Sequence, residues 1–166
     1  MKKLMLVTLS LILVSVFFAG SASPATAKEP KLMEFDTMEG VPSTLTGTQA
    51  SAAFRNVNAG GAPWTLTSAK GELTTSGHLE IEVVGLVLTN TGLNPSANFR
   101  GLVSCIKSDG TVENILTANF PATTGSAASG GGNAKIEADL VLPQPCFAPI
   151  VFVTSAAGNW FAVTGN

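Results

Sequence analysis

Apolar and polar residues alternate along much of this chain. Leu79, Ile81 and Val83 take every second position and His78, Glu80 and Glu82 fill the places between, the period of two that marks a strand with one face buried. Ile136, Ala138, Leu140 and Leu142 repeat the pattern against Glu137 and Asp139, and Trp64 and Leu66 alternate with Thr65 and Thr67. Phe99 to Lys107, Val112 to Phe120, Ile150 to Thr154 and Trp160 to Thr164 read as further strands. The phase breaks at Val83-Val84-Gly85 and resumes at Leu86 and Leu88, as a β-bulge carrying a glycine would. Asn90 to Asn98 and Ser108-Asp109-Gly110 are turns, Gly125 to Asn133 is a flexible Gly/Ser connection, and Pro143 and Pro145 end a strand. No segment carries a helical period over about ten residues.

Roughly seven or eight strands at this turn spacing predict an all-β fold, an antiparallel β-sandwich of immunoglobulin-like type, over residues 62–166. Two immunoglobulin hallmarks are missing. Trp64 precedes both cysteines and Trp160 follows both, and without tyrosine there is no tyrosine corner. Residues 28–61, with Pro30, Pro42 and the Asn58 to Gly61 turn cluster, read as an extended, partly disordered lead-in. Phe35 and the stretch Phe54 to Val57 are its candidates for short edge strands packed on the domain.

Residues 1–27 read differently. Lys2 and Lys3 precede an apolar run, Leu4 to Ala19, broken only by Thr8, Ser10 and Ser15, and Ala25-Thr26-Ala27 offers a signal-peptidase site. The run is shorter than the roughly 18–20 residues of a membrane-spanning helix. A signal peptide cleaved after Ala27 is therefore expected, with no membrane insertion once it is gone. The product is then secreted, or periplasmic in a host with an outer membrane. Leu142-Pro143-Gln144-Pro145-Cys146 lacks the residues of a wall anchor, so the product is expected free. Cys105 and Cys146 both lie in the exported part, where an oxidising compartment favours joining them as one disulfide.

Charge narrows the partners. Only 12 % of residues are charged, and losing Lys2 and Lys3 moves the formal net charge from −2 to −4 with His78 neutral. No basic patch offers phosphate contacts, so nucleic acid is not an expected partner, and no cationic amphipathic helix suggests docking to anionic lipid. The expected partner is an extracellular ligand or protein of unknown kind.

Candidate chemistry is sparse. His78, Glu80 and Glu82 share one strand face with Cβ atoms ~7 Å apart, the weak candidates for a metal site. The plainer reading is a solvated face whose glutamates pair across to Arg100, Lys107 or Lys135. No Gly-x-Ser-x-Gly elbow exists and His78 is the one imidazole, so no catalytic residue is assigned. Gly125 to Lys135 fails as a phosphate loop because Gly131 stands where lysine is needed and a strand follows, and no cofactor is expected. Glu34, Asp36 and Glu39 lack the spacing of a calcium loop and read as a solvated acidic stretch. Trp64 and Trp160 read as core residues.

Several segments together resemble an uncharacterised family of small secreted bacterial all-β proteins. They are Gly61-Ala62-Pro63-Trp64, Gly77 to Ile81 leading to Gly85-Leu86-Val87, Arg100 to Cys105, Leu142 to Pro149, and Trp160 to Gly165. The likeness spans about Met33 to the C-terminus and implies a secreted single domain without a known activity. The leading expectation is an exported non-enzymatic β-sandwich acting as a binding or envelope-associated module. A structural or self-assembling surface protein is the first alternative, and a hydrolase or metal-dependent enzyme centred on His78 the second.

Overall fold

A computed structural model describes residues 29–46 and 53–164. The expected signal over residues 1–27 lies outside the described residues. Fourteen strands run in chain order: β1 (Lys31–Phe35), β2 (Met38–Gly40), β3 (Trp64–Thr65), β4 (Ser68–Thr74), β5 (His78–Val84), β6 (Val87–Leu88), β7 (Leu93–Asn94), β8 (Asn98–Ile106), β9 (Val112–Leu116), β10 (Phe120–Pro121), β11 (Gly125–Ser126), β12 (Ala134–Asp139), β13 (Phe147–Thr154) and β14 (Trp160–Thr164). Eight of these have five residues or more, seven of them within residues 62–166, and the other six, among them those at Trp64 and Val87 where longer strands were expected, are short pairings of two or three residues. Among the described residues there is no α-helix, only 3-10 turns at Ser43–Leu45 and Ala127–Ser129.

The fold is an all-β sandwich. One sheet has four strands in the order β1-β4-β5-β12, and the other runs β10-β8-β13-β14-β2 with β9 also paired to β8. Every pairing between these strands is antiparallel. Leu73, Leu79, Ile81, Val83 and Ile136 of the first sheet join Phe99, Val103, Val151, Val153 and Ala162 of the second in one buried core. The two layers meet closely at Gly101 on β8. A Cβ there would lie 2.9 Å from Leu79 and 3.3 Å from Ile136, so glycine lets β8 pass directly over β5 and β12.

β1 and β2 lie within the stretch read from the sequence as a lead-in, and each edges one of the main sheets. β4 was not anticipated. Its inward positions hold Ala69, Gly71 and Leu73, too little apolar surface to show as a strand. The missing bulk comes from β1: Phe35 pairs with Gly71, and a Cβ on Gly71 would lie 2.6 Å from the Phe35 ring. The break at Gly85 is no bulge within one strand. β5 ends at Val84, Gly85 turns at φ +67°, and the chain leaves to pair as β6 with β3.

The Gly/Ser connection is also firmer than expected. Gly131 and Gly132 are buried and tied by Gly131 N–H to Ser126 O, Gly132 N–H to Thr123 O, and Leu86 N–H to Gly132 O. A Cβ on Gly132, at φ +79°, would lie 2.2 Å from the Leu86 carbonyl oxygen. Close approach of two backbones, rather than flexibility, explains glycine there.

Cys105 and Cys146 form a disulfide with Cα atoms 4.9 Å apart. It links β8 to the residue preceding β13, so it joins two neighbouring strands of one sheet.

Candidate functional site

The two outer faces of the sandwich differ in kind. Over the six-stranded sheet, Phe152, Leu102, Ser104 and Trp160 point away from the core yet are buried, because residues 53–60 cross above them as a strap. Phe54 meets Phe152 edge-on at 6.0 Å, Arg55 donates from Nη2 to Ala148 O at 3.0 Å, and Asn114 donates from Nδ2 to Arg55 O at 2.8 Å. Ala59 then bridges to Trp160 in parallel. Phe54 to Val57 therefore forms a tight turn on a sheet face rather than an edge strand, closed by reciprocal backbone bonds of 3.0 and 2.9 Å.

The four-stranded sheet presents the opposite character. Register sets Glu34 opposite Glu72, Glu72 opposite Glu80, and Glu80 opposite Glu137. Four glutamates thus cross all four strands in one row, with neighbouring Cβ atoms ~5 Å apart. A second row holds Lys70, Glu82 and Lys135. Like charges placed directly opposite destabilise a sheet, and two lysines offset that here. Lys31 contacts Glu34 at 2.7 Å and Glu72 at 2.8 Å, while Lys135 contacts both Glu80 and Glu137 at 3.0 Å. Hydrogen bonds to Glu137 and Glu80 raise the Lys135 pKa, and those to Glu34 and Glu72 raise that of Lys31. Lys70 pairs with Glu82 at 3.0 Å. With Asp139 added, six carboxylates face three lysines and one histidine. Beside the row lies an open depression of about 670 Å³ lined by Glu34, Asp36, Lys70, Glu72, Glu80 and Glu82 with Phe35 and Gly71.

All three residues singled out as metal candidates lie on this face, and each has a partner. His78 Nδ1 is 2.7 Å from Asp139 Oδ1, Glu80 is held by Lys135 and Glu82 by Lys70. The bond to Asp139 raises the His78 pKa against the lowering effect of burial, aided by the charges of Asp139, Glu137 and Glu80. Among the described residues, no three His, Cys, Asp or Glu side chains are grouped to hold a metal ion. Thr74 Oγ1 accepts from the His78 backbone N–H at 3.1 Å and lies 3.0 Å from Ser76 Oγ, and the contact found for the His78 ring among the described residues is Asp139. Of the cross-strand partners expected for the glutamates, Lys135 serves. Arg100 instead donates to Thr117 O at 2.7 Å and Ala156 O at 3.2 Å, and Lys107 approaches Glu113 at 3.6 Å. Glu34, Asp36 and Glu39 part company: Glu34 joins the glutamate row, Asp36 lines the depression, and Glu39 lies on β2 in the other sheet.

Sequence reasoning missed Lys31, Lys70, Glu72 and Glu137 as members of this face. The alternation of β12 already put Glu137 on an exposed face, but only the strand register aligns it with Glu80. Trp64 and Trp160 are both buried, with Trp64 stacked on Phe161 at 3.9 Å. No family model matches the chain, and neither the curated proteins nor the solved structures contain a match to it.

Proposed function

We propose that this chain is an exported, non-enzymatic binding module that recognises a cationic partner through the outer face of its four-stranded sheet. The row Glu34-Glu72-Glu80-Glu137 carries the reading. A solvated face built for stability would alternate sign across strands. Here like charge repeats at an interval of ~5 Å and leaves a net negative surface, which a linear polycation can meet with one ammonium group per carboxylate. The flanking Lys135 acts as an exchangeable counter-ion, since its pairs are solvent-exposed and such pairs contribute little individually, whereas the Lys31–Glu72 pair is half-buried.

Export rests on the pattern of residues 1–27 and on the Cys105–Cys146 disulfide, which an oxidising compartment maintains. No helix among the described residues is long and apolar enough to cross a membrane. The immunoglobulin-like form belongs to the same reading. Two antiparallel sheets around one core support it, while the disulfide runs within one sheet rather than between the two.

Calorimetric titration with octalysine tests the proposal. Saturable binding that weakens steeply with salt is expected, and Glu34→Gln/Glu80→Gln/Glu137→Gln should weaken it by about tenfold or more. Equal affinity of the variant and the parent chain would refute the role of the glutamate row.

A further inference from the structure

Strand register places His78 in a third row on the four-stranded sheet. Lys31 lies opposite Thr74, His78 lies opposite Asp139, and the Thr74 hydroxyl joins the two halves by accepting the His78 N–H. This row runs along one side of Glu34-Glu72-Glu80-Glu137, and Lys70-Glu82-Lys135 runs along the other. The glutamates are thus flanked by cationic positions on both sides, but the positions are not equivalent. Lys31, Lys70 and Lys135 stay charged up to a pH near 10. His78, the one histidine of the chain, carries the side chain that gains or loses its charge between pH 5 and 8.

The imidazole is held where its charge reaches the row. Asp139 Oδ1 fixes Nδ1 at 2.7 Å, and the side chain is 33 % exposed, so solvent protons have access to it. The charged groups that face it are Asp139 and Glu137 on β12, Glu80 on its own strand and Glu72 diagonally across on β4, with Lys31 on β1 beyond Thr74. Four carboxylates against one ammonium group favour the imidazolium, and the Asp139 bond is the largest of these influences. Glu80 and Glu137 lie ~7 Å away by Cβ, the spacing of diagonal neighbours in a sheet. Lys135 serves the same two glutamates from the opposite side. Six carboxylates against three lysines leave the face at −3, and one proton on His78 brings it to −2.

We infer that His78 controls the glutamate row as a pH-dependent counter-ion: on taking up a proton it opposes Glu80 and Glu137 from the side away from Lys135, and the face releases a cationic partner in mildly acidic surroundings. This control rests on the binding role proposed above for the row. Proton and polycation compete, and the competition is reciprocal. A polycation seated on the row makes His78 harder to protonate by the same factor that protonation weakens binding.

Octalysine acetylated at its N-terminus and amidated at its C-terminus is the probe, because its charge is constant between about pH 8 and pH 6, and carboxylates stay ionised over that range. In low-salt calorimetric titrations the parent chain should bind it about threefold or more weakly at pH 6 than at pH 8. His78→Gln should bind equally at the two values. His78→Lys, cationic at both, should bind at pH 8 as weakly as the parent does at pH 6. The imidazole C–H resonance of the one histidine gives a second readout, and its titration midpoint should fall to lower pH when octalysine is saturating. Parent affinity that is equal at the two pH values, or a pH dependence that persists in His78→Gln, would overturn the control by His78 and leave the glutamate row standing. Absence of binding at both pH values would overturn the row and its control together.

Discussion

Replacing both cysteines by alanine, Cys105→Ala/Cys146→Ala, removes a bridge whose effect can be worked out from its place in the chain. The two residues lie 41 apart in sequence. Closing a loop of that length lowers the entropy of the unfolded chain by an amount equivalent to about 4 kcal/mol at room temperature in the chain-entropy model. In the folded state the bridge joins strands that already share a ladder, β8 and β13, so its removal costs few native contacts beyond the sulfurs themselves. Those sulfurs are buried, Cys105 at 0 % and Cys146 at 9 % exposure, and their loss adds roughly 1 kcal/mol each. The expected total of about 6 kcal/mol is comparable with the whole stability of a typical domain. Urea unfolding followed by tryptophan fluorescence measures it. The variant should show a sharply lower midpoint and a larger m-value, because an uncrosslinked unfolded chain exposes more surface. A loss below about 1 kcal/mol with an unchanged m-value would refute the claim that the bridge acts by restricting the unfolded chain.

Two further outcomes follow from the loops and the charged face. Gly132→Ala forces a Cβ against the Leu86 backbone at a positive φ, and should lower stability by about 2 kcal/mol or more in the same urea assay. His78→Asn should destabilise the protein by under about 1 kcal/mol, and only at low pH. The Asp139 bond raises the His78 pKa in the folded state. Its stabilisation is therefore fully present below the unfolded value of about 6.5 and disappears as pH rises through the folded value. Thermal melts of parent and variant should differ at pH 5.5 and converge at pH 9.

Wherever a strand carries its own hydrophobic residues, it is visible in the sequence. β5, β8, β12, β13 and β14 each hold enough inward-facing apolar residues to declare their period, and a strand appears at each place. β4 is hidden because Gly71 leaves its core position to Phe35, some 36 residues earlier in the chain. The strap is hidden for a related reason. Phe54 and Val57 pack on the back of a sheet whose outward residues, Phe152 and Leu102, look like core in the sequence whichever way they face. Glu80 and Glu82 were legible as neighbours on one exposed face. Their alignment with Glu34, Glu72 and Glu137 was not, because cross-strand register is set by long-range pairing and not by local pattern.

The glutamate row is the centre of this account, and residue-level mapping of a polyamine tests it most directly. In a ¹⁵N-resolved titration with spermine, saturable shifts should concentrate on β1, β4, β5 and β12, with the largest at Glu34, Glu72, Glu80 and Glu137. Shifts that fail to saturate, or that fall on the six-stranded sheet instead, would contradict it.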